Sequence, residues 1–250
     1  GSDLSLPART RDDPAMRAAA LLFGTCLLLT FPAGIIADDG LAAVQARILR
    51  WESAMKKFEQ ADRDQPPSPG GVLFVGSSSI RLWDLEESFP GVDAVNRGFG
   101  CSHVADSVHY FDRIVATHKP RVIVIYAGDN DIAGRKTPCR VLEDFRQFVA
   151  KVDQTLPDTK VVFIAIKPSR QRWNLVHRMR AANALIKAEC LDSDHLEFVD
   201  VDTPMLGEDG TPREELFAKD GLHLSSAGYE LWTDLVRPHL PVRSVSSDAP

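Results

Sequence analysis

Asp220-Gly-Leu-His223 puts a carboxylate three residues before an imidazole, between Lys219 and Leu224-Ser225-Ser226-Ala227-Gly228. A carboxylate in that place accepts the Nδ1 proton and leaves Nε2 free as general base for a hydroxyl nucleophile. A pair this close in the chain needs no long-range coincidence of fold, though the same spacing arises by chance in many loops. Hydroxyls are supplied far upstream, where Val72-Leu73-Phe74-Val75 runs into Gly76-Ser77-Ser78-Ser79-Ile80. An apolar run stopped by glycine reads as a buried parallel strand, and ligands bind outside the C-terminal ends of such strands. The competing role for these serines is to accept the free N–H groups of a helix expected over Ile80 to Glu87. A Gly-x-Ser-x-Gly elbow is absent, because Ile80 stands where its second glycine would be.

Two more polar blocks close apolar runs between those ends. Asn96-Arg97-Gly98-Phe99-Gly100-Cys101-Ser102 follows a strand-like piece, Val92 to Val95, and Val122 to Ala127 leads into Gly128-Asp129-Asn130-Asp131. In the order Gly-x-Ser, Asn-x-Gly-x-Gly, Gly-x-Asn-Asp, Asp-x-x-His, the four blocks resemble the SGNH (GDSL-type) hydrolase family. The resemblance runs from about Val72 to Leu235. It implies Ser78 as nucleophile, with Asp220 and His223 completing the triad. It also implies an oxyanion hole made from the backbone N–H of Ser78, a backbone N–H at Cys101 and the side-chain amide of Asn130. Three donors converging on one developing oxyanion are what acyl transfer needs. The chain departs from the family pattern twice. Ser77 replaces the aspartate of Gly-Asp-Ser, which leaves Ser77 and Ser79 open as nucleophiles. Cys101 replaces a glycine, which keeps the N–H but brings a Cβ into the site and requires an allowed φ.

These features describe a serine esterase acting on carboxylic esters, with short acyl groups such as acetyl on a sugar preferred because Cys101 narrows the site. A lysophospholipase or thioesterase is the enzyme alternative, and a carbohydrate-binding protein without turnover is the non-enzyme one. Asp129 and Asp131 flank Asn130 in the manner of a Mg²⁺ or phosphate loop. Phosphoryl transfer would want a lysine or a Gly-rich cradle beside them, and none is evident in the sequence. Cys101-Ser102-His103 has no second ligand pair at zinc spacing, so neither metal nor organic cofactor is expected. His103, beside the oxyanion block, is a candidate pocket residue. Lys167-Pro168-Ser169-Arg170-Gln171-Arg172-Trp173 reads either as an exposed basic loop or as a substrate loop. In the second case Arg172 supplies a charged fork and Trp173 a flat apolar face. His109, His118, His177, His195 and His239 read as ordinary surface or helix residues, and Asp106 as a solvated helix residue.

The remaining elements must hold these blocks together. Lys160 to Ile166 and Glu197 to Val201 read as further strands; Val104 to His118, Val141 to Leu156, Leu175 to Leu191 and Ser226 to Val236 read as helices. Strands alternating with helices of this length argue for an α/β fold with a parallel sheet covered on both faces. The family resemblance makes it a three-layer αβα fold with five strands in flavodoxin-like order. Residues 41–62 form an amphipathic helix that packs outside the sheet, and Gln65 to Gly71 links it to the first strand.

The chain has 250 residues, and the recognisable region accounts for one domain, expected over 38–240. Hydrophobic residues make up 44% of the whole chain, enough for an ordinary core, and its net charge of −6 argues against a nucleic-acid partner. Of the 4 cysteines, Cys26 lies in the N-terminal apolar run and three remain, so at least one thiol stays free. Met16-Arg17, the uncharged run Ala18 to Phe31, Pro32 and Gly34, then Ala37 before Asp38-Asp39, describe a cleaved export signal over 16–37. Stretched to Ala37, the uncharged segment has 20 residues, long enough to be weighed as a membrane anchor. Residues 1–15 read as an expression scar and tail, and 241–250 as a C-terminal tail. The expected product is a secreted or periplasmic enzyme with a small-molecule or carbohydrate ester substrate and no stable membrane association after processing.

Overall fold

Strand runs that are apolar at every position must be covered on both faces. In the computed structural model, which describes Ala46 and residues 49–241, they are. One parallel sheet contains β1 (Val72–Gly76), β2 (Ala94–Gly98), β3 (Val122–Tyr126), β4 (Lys160–Ile164) and β5 (Leu196–Val199). The order across it is β2-β1-β3-β4-β5, the flavodoxin-like arrangement with β1 inside. The expected scar, the export signal, most of 41–48 and the tail beyond Pro241 lie outside the described residues. Among the described residues no helix is long and apolar enough to cross a membrane.

The helices are α1 (Glu52–Asp64), α2 (Ser78–Arg81), α3 (Leu85–Ser88), α4 (Val104–His109), α5 (Phe111–Ile114), α6 (Asp129–Ala133), α7 (Pro138–Thr155), α8 (Val176–Leu191) and α9 (Ser226–Val236). Alternation along the strands divides the core in two. Leu73, Val75, Ile123, Ile125, Val161 and Phe163 face one layer, which packs on Trp51 and Met55 of the α1 region and on apolar residues of α4, α5, α7 and α8. Val72, Phe74, Val124, Tyr126, Val162 and Ile164 face the other, built from Ile80, Trp83, Leu85 and the α9 residues Trp232 and Val236.

Several expected boundaries change. The single helix over Ile80 to Glu87 is two short ones, because Asp84 breaks the run and caps α3 by accepting from the Glu87 N–H at 3.0 Å. The helix over Val104 to His118 is divided at Tyr110 (φ −90, ψ 8), which buries that ring edge-on to Phe99 with centroids 6.1 Å apart. The second strand begins two residues later than Val92 and runs on to Gly98, since its register on β1 runs from Val72↔Ala94 to Gly76↔Gly98. Two of its polar residues find partners there. Asn96 donates to the Ile80 and Trp83 carbonyls at 2.7 and 3.1 Å, and Arg97 pairs with Asp62 of α1. His118 is buried, with Nε2 3.4 Å from Asp62, and so is not a surface residue. Asp106 is likewise buried rather than solvated, its carboxylate accepting the His103 N–H at 2.7 Å at the start of α4.

Candidate active site

The C-terminal ends of β1, β2 and β3 lie side by side, so the first three blocks meet at one sheet edge. β1 stops at Gly76 with φ +136, where a side chain's Cβ would lie 1.9 Å from the Tyr126 carbonyl oxygen. Only glycine fits so close to β3 in that backbone region. The Ser77 N–H then donates to the same carbonyl at 3.0 Å, which fixes how α2 leaves the sheet.

Of the three serines, Ser77 and Ser79 are buried, at 2% and 1% exposure, while Ser78 is half-buried. Ser77 occupies the N-cap position of α2, yet its side chain makes no capping bond, so the capping role does not account for the run. Ser78 Oγ is 3.1 Å from His223 Nε2, and His223 Nδ1 is 2.6 Å from Asp220 Oδ2. A carboxylate only accepts, so Nδ1 carries the proton and the neutral ring offers Nε2 as acceptor to the serine hydroxyl. The other oxygen, Oδ1, accepts the backbone N–H of Leu222 at 2.9 Å and of His223 at 3.0 Å. The bond from His223, then that from the Leu222 N–H, holds the Asp220 carboxyl down at about 2.

The second block is braced from α1. The Trp51 indole N–H donates to the Gly100 carbonyl at 2.9 Å, a contact the sequence reading did not anticipate. Cys101, next along, takes the left-handed conformation (φ +61) with its side chain exposed. The backbone thus keeps the geometry of the glycine that the family pattern expects, at the cost of placing a side chain there. Asn130 lies in α6, its Nδ2 donating to the Ser102 carbonyl at 3.1 Å and its Oδ1 accepting from Arg172 at 3.1 Å. An amide nitrogen has two hydrogens, so one stays available beside the second block.

The residues around Asn130 differ most from expectation. Lys167 is not part of an exposed loop. It is buried, with Nζ 2.9 Å from Asp129 Oδ2, 2.9 Å from the Tyr126 hydroxyl and 3.4 Å from Ser79 Oγ. Arg172 pairs with the other Asp129 oxygen as well as with Asn130. Burial works against charge on Asp129, but Lys167 and Arg172 outweigh it and hold that carboxyl below its ordinary range. Burial likewise opposes the Lys167 ammonium, and Asp129 outweighs it, so the lysine is raised. Burial pushes the Tyr126 phenol up to about 12. The lysine that the sequence did not reveal beside Asp129 therefore comes from the end of β4. Asp131 has its own, Lys136 Nζ at 2.7 Å. Both carboxylates flanking Asn130 are neutralised by side chains, and no group of three metal-ligating residues occurs among the described residues.

His103 lies against α6, with Nδ1 3.8 Å from Asp131 Oδ1. Trp173 is half-buried, with the Arg180 guanidinium 5.6 Å from its ring centre. A further contact unforeseen from sequence is the Tyr229 hydroxyl of α9, which donates to the Ser79 carbonyl at 2.9 Å and ties that helix to the serine turn.

The chain matches the model of the GDSL-like Lipase/Acylhydrolase family over residues 81–231. That span takes in the second, third and fourth blocks and begins just after Ser78. Among solved structures, a candidate platelet activating factor from Streptococcus pneumoniae superposes with a TM-score of 0.70 at 20% identity, covering 82% of this chain and 99% of that one. A GDSL-like lipase from Bacteroides thetaiotaomicron gives 0.66 at 19% identity, over 74% and 96%. A catalytic mutant of an acetylxylan esterase from Geobacillus stearothermophilus gives 0.55 at 16%, over 68% and 94%. At such identities these likenesses establish the fold. No curated protein matches the chain in sequence.

Proposed function

The chain belongs to the GDSL-like lipase/acylhydrolase family and is an ester-hydrolysing enzyme, and from that premise we propose a serine esterase that cleaves short-acyl carboxylic esters through an acyl-enzyme on Ser78. The observation that carries this reading is the hydrogen-bonded series from Asp220 through His223 to Ser78 Oγ, which ends on the half-buried member of the serine run.

In the proposed reaction Ser78 Oγ attacks the acyl carbon as His223 Nε2 takes its proton. Asp220 keeps the imidazole in the required tautomer and stabilises the imidazolium. The oxyanion is received by the backbone N–H groups of Ser78 and Cys101 and by the Asn130 amide. His223 then passes its proton to the leaving alkoxide, and water repeats the sequence on the acyl-enzyme. Short acyl groups are preferred because the Cys101 side chain stands where the family pattern has glycine. An acetylated carbohydrate suits that limit. The apolar segment 16–37 supports export, which would bring the enzyme to extracellular or periplasmic esters.

A panel of p-nitrophenyl esters from acetyl to palmitoyl, run beside acetylated sugars and a fluorophosphonate label, tests this reading. Turnover is expected to fall steadily with acyl length, with label on Ser78 and no effect of a chelator. A maximum at long acyl chains favours the lysophospholipase alternative. Absence of both label and turnover removes the enzyme mechanism.

A further inference from the structure

We propose that Arg172 is a positioning residue that fixes which end of the Asn130 amide faces the oxyanion, rather than a substrate contact; the inference rests on the role proposed for Asn130. The two ends of an amide are nearly the same size and opposite in hydrogen-bonding character. Turned the right way, Asn130 presents N–H to a developing negative charge. Turned over, it presents an oxygen and repels that charge. Something nearby must decide between them.

Arg172 decides it because a guanidinium only donates. Its Nη1 lies 3.1 Å from Asn130 Oδ1, so the oxygen belongs on the Arg172 side and the NH₂ group on the side of the Ser102 carbonyl. The guanidinium is itself held. The same Nη1 pairs with Asp129 Oδ1, and Asp129 Oδ2 takes Lys167 Nζ at 2.9 Å. The Arg172 side chain is 20% exposed and Asp129 only 5%, so this pairing is shielded from water and from salt. The donor that faces Asn130 is thus already committed to protein groups, unlike a free arm waiting for a ligand. The adjoining residue ties the same segment to the Asp–His loop, through the Gln171 N–H and the Gly221 carbonyl at 3.0 Å.

The test is a double-substitution cycle on kcat and KM for p-nitrophenyl acetate, using Arg172→Gln, Asn130→Ala and the two combined, with Tm measured for each. Arg172→Gln is expected to lower kcat by about ten- to a hundredfold, as for a misplaced catalytic group, with KM little changed. In the Asn130→Ala background the same substitution is expected to cause no further loss. A structural role alone would lower kcat in both backgrounds. If Arg172→Gln does not fold, Arg172→Lys keeps a cation opposite Asp129 on a stem one bond shorter, and its kcat is expected to stay well below that of the parent. Raised KM with intact kcat, additive losses, or full kcat in Arg172→Lys would overturn the proposal. Weakened Asn130→Ala beside unimpaired Arg172→Gln overturns the positioning role alone. Unimpaired Asn130→Ala overturns the oxyanion assignment beneath it.

Discussion

Two aspartates border the same site under opposite conditions: the side chain of Asp220 is 46% exposed and that of Asp129 is 5%. Asp220 binds within its own loop, to Leu222 and His223, two and three residues away. Asp129 binds Lys167 and Arg172, 38 and 43 residues away. The exposed one is held by local geometry and needs little from the rest of the fold. The buried one depends on β3 and β4 being in place, and its loss would leave Lys167 as an uncompensated buried charge. The contrast separates a residue whose removal should damage chemistry from one whose removal should damage stability.

The largest effect expected is at the proposed nucleophile. Ser78→Ala should lower kcat by about a millionfold and abolish fluorophosphonate labelling, as removal of a triad serine does, while Ser77→Ala and Ser79→Ala keep the label. If Ser79→Ala is the dead protein, the first block is aligned wrongly by one residue. Next comes the comparison itself. Asp220→Asn should cost about ten-thousandfold in kcat through the wrong imidazole tautomer, with Tm unchanged. Asp129→Asn should instead lower stability by about 3–5 kcal/mol, the usual penalty for stripping one partner from a buried pair. Denaturant melts and kinetics on the two proteins would show whether the separation holds; equal losses of stability would break it.

A subtler contrast appears with pH. Asp220, held at about 2, stays ionised across the working range, so its carboxylate should add no limb of its own to kcat/KM near neutrality. Asp129 is depressed, so its contribution to stability is present above the ordinary aspartate range and is lost as pH falls below it. Lys167 is raised, so its contribution is present below the ordinary lysine range and is lost as pH rises past it. The Tm gap between the parent and Asp129→Asn should therefore be flat around neutrality and narrow at both extremes. A gap that keeps widening into acid would contradict the ion pairing. The smallest effect expected is for Cys101→Gly. Relief of the left-handed backbone, less the added freedom of the unfolded chain, should change stability by up to about 1 kcal/mol. Butyrate esters should gain on acetate esters, and an unchanged ratio would free Cys101 from any part in acyl selection.

The same division explains what could be read from the residues alone. Strand cores such as Val122 to Tyr126 announce themselves because a doubly covered strand is apolar throughout. The Asp220–His223 pair was legible because its partners are three residues apart. Boundaries at Tyr110 and Asp84 were not, since each depends on what the side chain meets in the folded protein. Lys167 was the hardest to foresee. Its neighbours Pro168 to Trp173 look solvated by composition, and only the pairing of β3 with β4 brings it onto Asp129. Trp51 hid in the same way, counted as one apolar residue of a helix when its indole N–H braces Gly100.

The position of β1 inside the sheet has a consequence in time. Its register couples Val72 to Ala94 on one side and to Val122 on the other, so the strand that delivers Ser78 is enclosed only after β3 has been made. Such long closures slow folding, because their entropy is spent before any contact repays it. The imidazole arrives later still, on the loop that leads into α9, whose Trp232 and Val236 complete the second core layer. During synthesis the chain therefore emerges with the serine turn well before the proposed base and the Tyr229 contact that braces that turn, and hydrolytic competence should be the last property to appear.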